Sequence, residues 1–317
     1  YTHTNILMYH RFGESKYPST NISINDFKKQ IELIKNEDMT FINSMDFEKK
    51  LLESKNERKM LLTIDDGFTS FYQNAWPFLK KENIPFILFV NTREVGSSGY
   101  MNWDQIREVS KSNLAHIGNH SHSHEYMVDW KIDEIKKDIT KSIDIFEKEL
   151  GYKSIFFSYP FGEYSLEFRS LVAELGFKYA FGQHSGVIDL TKNNFELPRY
   201  PINEKYGEIK RFKGLLKTLP LKYEYLKPEE KYLRNSDNPP KVIIKFLDEY
   251  KNINQLNCFS NEEDKWRNSE IIFLEKNKIE IKLDGKFTTE RGRINCSLRE
   301  EGGFYRWLGI QFVIADK

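Results

Sequence analysis

The chain has 317 residues, 30% of them charged, and 48 basic side chains against 47 acidic ones leave a net charge of +1. So even a balance supplies no global field for nucleic acid or an anionic membrane surface, and no apolar run reaches transmembrane length. The length suits one large or two ordinary domains, and because the sequence opens at Tyr1 rather than Met, a missing signal peptide decides nothing.

In chain order, 5–10 reads as a first strand that ends in Tyr9-His10-Arg11. Ser23 and the spacing Phe27, Ile31, Ile34 predict a capped amphipathic helix. A short strand over 40–42 and a helix over 45–54 follow. The run 60–65 is then an apolar strand that ends abruptly in Asp65-Asp66-Gly67. A helix is expected over 71–81, with Pro77 bending it, and 85–90 is apolar enough for a parallel strand buried on both faces. Beyond it come a helix over 103–112, the segment 114–118 leading into a histidine tract, and a long helix over 132–150 closed by Gly151. The strand 155–159 runs into Pro160-Phe161-Gly162, a helix over 165–175 closes at Gly176, and the strand 179–181 ends at Gly182-Gln183-His184. This strand–helix alternation predicts a parallel α/β fold. Polar residues recur just past the strands, where a barrel collects its active site, so a barrel is preferred over an open doubly wound sheet.

After a helix over 207–217 the texture changes. Pro220, Pro228, Pro239 and Pro240 fall close together, and short β-rich runs follow at 241–246, 269–274, 278–283, 292–298 and 307–314. Residues 1–219 are therefore expected to form the α/β domain, and 220–317 a smaller all-β domain, a sandwich. Trp266, Phe304, Tyr305 and Trp307 in this part could be a platform for sugar rings or ordinary core. Cys258 and Cys296 could pair in an exported protein or be two buried thiols.

Two adjacent carboxylates at a strand end repel each other, and a metal could neutralise one while the other titrates separately. The alternative is a plain Asp-Gly turn. The tract Asn119-His120-Ser121-His122-Ser123-His124 holds three of the seven histidines. Extended, all three would share a face; in a helical turn only His120 and His124 would, making a two-histidine grip to which Asp66 could add an oxygen. Nitrogen and carboxylate ligands with open positions suit a catalytic Zn²⁺, against the alternative of an exposed His-rich loop. His10 could face the same point or be structural.

Thr63-Ile64-Asp65-Asp66-Gly67, His120-Ser121-His122-Ser123-His124 and Ser158-Tyr159-Pro160-Phe161-Gly162 resemble, in order and rough spacing, the motifs of the polysaccharide deacetylases, carbohydrate esterase family 4. The resemblance spans about 5–205 and implies a distorted (β/α)7 barrel. It implies that Asp65 is the general base and that Asp66, His120 and His124 hold a divalent metal, usually zinc, with Co²⁺ or Ni²⁺ as alternatives. The Phe161 N–H would help hold the oxyanion, and His184 is the candidate general acid. His10, Tyr159 and Pro160 are the expected substrate contacts. The third motif often begins with an arginine that steadies the catalytic Asp; Ser158 stands in that place, and Arg199 is expected to supply the charge from another strand end.

The implied activity is metal-dependent removal of acetyl groups from an N-acetylated polysaccharide, outside the cell, in the periplasm or at the envelope. O-deacetylation of another glycan and glycan binding by a degenerate domain are the competing readings. A glycosidase fits worse, because its two acids must flank the scissile bond.

Overall fold

A computed structural model describes residues 3–53 and 57–315. The strands His3–Tyr9, Arg58–Asp65, Phe86–Val90, Ala115–Asn119, Phe156–Ser158 and Tyr179–Phe181 lie side by side, all parallel, with Val187–Asp189 antiparallel on the outer edge of the first. The segment around Leu197 to Ile202 joins the two ends of this sheet. Leu197 bonds to the last strand through Ala180 and Gly182, and Ile202 bonds to Met8 on the first. The sheet therefore curls on itself, the distorted barrel expected from the alternation.

Side chains alternate across each strand, and the two faces have different jobs. Leu7, Tyr9, Leu62, Ile64, Phe86 and Leu88 face outward, into the core shared with the helices. Ile6, Leu61, Ile87, Phe89, Phe156 and Phe181 fill the interior. Gly118 is required there, because a Cβ would lie 2.4 Å from Phe89 Cε1. Toward the carboxyl ends of the strands the inward row turns polar, with Thr63, Asp65, His120 and Ser158 all at 0% exposure.

Helix boundaries follow local chemistry. Ser23 caps Ile24–Asn36 by accepting from the Asp26 N–H, and Ile132–Leu150 stops at Gly151 with φ 78°. The expected helix over 71–81 is instead a π-helical turn, Phe71–Ala75, followed by an α-helix, Trp76–Lys81. Pro77 has no N–H for the ladder but fits a first turn, so it starts a helix rather than bending one. The helix expected over 45–54 is a 3₁₀ turn, Ser44–Asp46, and then Phe47–Leu52; Ser54 lies outside the described residues.

The C-terminal strands form two sheets. One carries Asn257–Ser260, Arg291–Arg299 and Tyr305–Ile314; the other carries Tyr223–Lys227, Val242–Phe246, Lys278–Lys282 and Glu270–Glu275. Gly292, Ile294, Cys296 and Leu298 alternate inward along Arg291–Arg299, and the sandwich has its own core. Cys258 and Cys296 face each other across neighbouring strands and are disulfide-bonded. Reducing this bond should cost about 2–5 kcal/mol, read as a lower urea midpoint with dithiothreitol present.

The sandwich is seated on the barrel. Trp307 packs against the main core, Val313 belongs to a core cluster otherwise made of residues 127–180, and Leu308 bridges to Gly186. Gly309 allows the approach, since a Cβ there would meet the Ser185 carbonyl at 2.2 Å.

Candidate active site

Asp65 ends its strand pointing into the barrel, wholly buried, and Arg199 meets it with both prongs: Nη1 donates to Oδ1 at 2.8 Å and Nη2 to Oδ2 at 2.9 Å. Ser158 Oγ accepts from the same Nη2 at 3.0 Å and donates to Asp65 Oδ2 at 3.2 Å. The guanidinium also donates to Thr63 Oγ1 and to the Gly182 carbonyl, and it lies 5.7 Å from both the Phe89 and Phe181 ring centres. A serine at 158 thus leaves room for an arginine arriving from a different strand end. Burial raises the Asp65 carboxyl, but Arg199 and the nearby histidines pull harder, and the net shift is downward.

Asp66 takes the left-handed backbone region, φ 82°, followed by Gly67 at φ 71°. That turn lets two successive side chains converge, where an extended strand would send them to opposite faces. The histidine tract is a turn with Ser121 at φ 69° and His124 at φ 54°. Asp138 Oδ1 accepts from the His122 N–H at 2.9 Å, and Ser121 Oγ accepts from the His124 N–H at 3.0 Å. His120 and His124 come together with ring centres 4.7 Å apart, while His122 turns away to Thr92 Oγ1 at 2.8 Å.

Asp66 Oδ1 lies 3.1 Å from His120 Nε2 and 3.3 Å from His124 Nε2. Asp66 Oδ1 and His120 Nε2 are buried and neither makes a hydrogen bond of normal geometry. His120 Nδ1 is engaged with the Ser158 carbonyl at 2.7 Å, so it carries a proton and the Nε2 lone pair is free for a ligand. Carboxylate and imidazole lone pairs this close repel unless a proton or a cation stands between them. The proton alternative shows in His120, where burial pushes the imidazole down but Asp66 and Asp65 raise it overall. Burial holds His124 down to about 4, neutral as a ligand must be. The donor set therefore fits a divalent metal ion, with the three ligand atoms within 4.8 Å of one another.

Residues 53–180 match the family model described as polysaccharide deacetylase. The chain carries a polysaccharide deacetylase domain. It is 27% identical over 220 residues to the poly-beta-1,6-N-acetyl-D-glucosamine N-deacetylase of Staphylococcus aureus strain N315, covering 64% of this chain and 76% of the relative. The Staphylococcus epidermidis enzyme of the same name is 24% identical over 218 residues, covering 64% and 75%. The fold is shared with Streptococcus pyogenes deacetylase PplD in complex with acetate, at TM-score 0.59, 23% identity and coverage of 64% and 93%. It is shared equally with IcaB from Ammonifex degensii, at TM-score 0.59, 22% identity and coverage of 68% and 97%. The enzyme is thus a hydrolase.

His10 sits just past the first strand and acts electrostatically on Asp65, Asp66 and His124. His184 does not join this group. Its Nε2 meets the Glu196 carbonyl at 3.0 Å, and it lines a cavity of about 230 Å³ with Arg169, Lys192 and Lys231, away from the carboxylate pair. Burial pushes it down to about 3, so it is a poor proton donor near neutrality. Tyr159 and Pro160 are also corrected as substrate contacts. Tyr159 is fully buried with its hydroxyl donated to the Phe195 carbonyl, and Pro160 is buried beside it. The ring that does face outward is Tyr126, 45% exposed and stacked on Phe161 at 4.1 Å; an aromatic two positions past the histidine tract is the signal that would have found it. Of the four aromatics set aside as a sugar platform, Trp307 donates to Ser185 Oγ and Phe304 lies under Arg58 and Lys217, leaving Trp266 and Tyr305 exposed.

Proposed function

We propose that this chain removes acetyl groups from an N-acetylated amino-sugar polysaccharide of the poly-N-acetylglucosamine type, releasing acetate and a free amine. The observation that carries the reading is the convergence of Asp66 Oδ1 with His120 Nε2 and His124 Nε2, beside a carboxylate held by Arg199. Zn²⁺ is the proposed ion, held by Asp66, His120 and His124. When bound it would polarise the acetyl carbonyl and lower the pKa of its water toward ~7.

The residues of the chain do the rest. Asp65 takes the proton of the attacking water; its Oδ2 is turned toward the ligand group, 3.9 Å from His120 Nε2. Ser158 and Arg199 fix that carboxylate in place and keep it ionised. The Phe161 N–H is assigned to the developing oxyanion, where a fixed donor is worth most. His10, within electrostatic reach of Asp65 and Asp66, takes over the role first given to His184 and donates to the leaving amine. The exposed Tyr126 ring offers a wall for a sugar face. Residues 1–219 act as the catalytic domain and 220–317 as an accessory domain. The disulfide supports an exported protein, acting at the envelope or outside the cell.

Acetate release from an N-acetylglucosamine oligomer tests this. Chelated protein should release none, and one equivalent of Zn²⁺ should restore release. Absence of release with zinc bound would overturn the N-deacetylase reading and leave an O-acetylated glycan to be tried; failure to bind zinc would overturn the metal site.

A further inference from the structure

Pro160-Phe161-Gly162 is a single tight turn between the Phe156–Ser158 strand and the Leu166–Glu174 helix. Phe161 sits at φ 61°, ψ 9°, a left-handed conformation that costs a residue with a Cβ about 1–2 kcal/mol. Surrounding contacts must hold it there. On one side the Phe161 ring stacks on Tyr126 and lies 4.9 Å from the His124 ring. On the other side the contacts come from the sandwich. Gln311 Nε2 donates to the Phe161 carbonyl at 3.3 Å and to the Gly162 carbonyl at 3.4 Å. Arg291 places its guanidinium 5.5 Å from the Phe161 ring centre and its Nε 3.2 Å from Glu163 Oε2.

Gln311 and Arg291 reach the turn from neighbouring strands of one sheet. Arg293 stands opposite Gln311, and Arg291 opposite Val313, on the neighbouring strands Arg291–Arg299 and Tyr305–Ile314. Arg293 Nε donates to Gln311 Oε1 at 3.3 Å, so the amide is oriented with its NH₂ toward the turn. Gln311 is 3% exposed and sees no bulk water that could take over the bond. The N–H assigned to the oxyanion belongs to the peptide that enters Phe161. Gln311 grips the two peptides that leave it. Fixing the planes after Phe161 while its ring is clamped by Tyr126 leaves little freedom in the direction of the N–H.

We propose that Gln311, supported by Arg291, is a positioning residue for deacetylation: the C-terminal sandwich holds the Phe161 turn in the conformation that aims its N–H at the oxyanion. The inference rests on the deacetylase reading above for its catalytic consequence. It makes the sandwich part of the catalytic unit, whatever glycan binding its outer surface provides.

Two substitutions separate the donor from the bulk. Gln311→Met keeps the length and removes the bond; Gln311→Glu keeps the shape and the Arg293 contact but turns the donor into an acceptor. Both should lower kcat on an N-acetylglucosamine oligomer about tenfold, because the donor is misaimed rather than deleted. KM should stay within about twofold and zinc at one equivalent, since neither the groove nor the ligands change. Hydrogen–deuterium exchange of the peptide covering 158–164 should speed up in Gln311→Met. If the buried position does not tolerate either change, Arg291→Gln, at a partly exposed site, should show the same kcat loss at constant KM and the same faster exchange. Unchanged kcat, or a loss confined to KM, overturns the positioning role, as does unchanged exchange. Acetate release by the unsubstituted protein is measured alongside. Its absence would sink the deacetylase reading, while the exchange comparison would still decide whether the sandwich holds the turn.

Discussion

Asp65→Asn should lower kcat for acetate release by about 10²–10⁴-fold, the span that a positioned general base supplies. The substitution preserves shape and removes only the ability to accept a proton. Zinc should stay at one equivalent, because Asp66, His120 and His124 keep their positions on other parts of the turn and tract. The substitution also takes away the counter-charge of Arg199, which retains neutral partners in Thr63, Ser158 and the Gly182 carbonyl. Some stability loss is therefore expected, and the comparison belongs at a temperature where both proteins are shown folded by circular dichroism. A variant that keeps wild-type kcat with zinc bound would remove Asp65 from the base role and leave it as an electrostatic support.

What could be read in advance followed from local chemistry. Asp65-Asp66-Gly67 is legible because two carboxylates at the end of a buried strand need a partner, and the glycine announces a turn. The barrel is legible because inward and outward faces are both apolar, so its strands read as continuous runs. The missing arginine at Ser158 is legible only against the third motif of the resembling family, and Arg199 is the cation that the fold brings within 2.8 Å of Asp65. His184 shows where the reasoning stops. It follows a strand end, as the site residues do, but the chain turns after Gly182 and the ring swings to Tyr164 and the Glu196 carbonyl. Strand position specifies which rim a residue occupies, not which way its side chain leaves that rim. Gln311 was invisible for a second reason. Its strand is buried on both faces over 308–313, so alternation cannot say what it faces, and its partners lie some 150 residues earlier. Contacts of that separation follow from how the sandwich docks, which no local pattern encodes.

Arg199→Met should be the most destabilising single change at the site. It leaves the Asp65 carboxylate fully buried without its bidentate partner, and breaking a buried pair from one side costs about 3–5 kcal/mol. The pH dependence distinguishes this cause from lost packing. With Arg199 present, the folded carboxyl sits below its unfolded value, so its stabilising contribution is present above the unfolded pKa of about 3.9 and is lost as pH falls through the folded pKa. Without Arg199 the burial contribution acts with only the histidines to oppose it, and the folded pKa moves upward. The group then opposes folding where it is ionised, and protonation relieves that opposition. The stability difference between wild type and Arg199→Met, from urea midpoints, should therefore shrink as pH is lowered from 7 toward 5. Activity should respond in the matching direction, with the acid limb of kcat/KM moved to higher pH because the base must be unprotonated. The double variant Asp65→Asn, Arg199→Met should recover part of the lost stability, since it removes the unpaired charge along with its partner. A deficit below about 1 kcal/mol, the same at both pH values and not eased in the double variant, would mean that the pair is solvated and that Arg199 does not set the ionisation of Asp65.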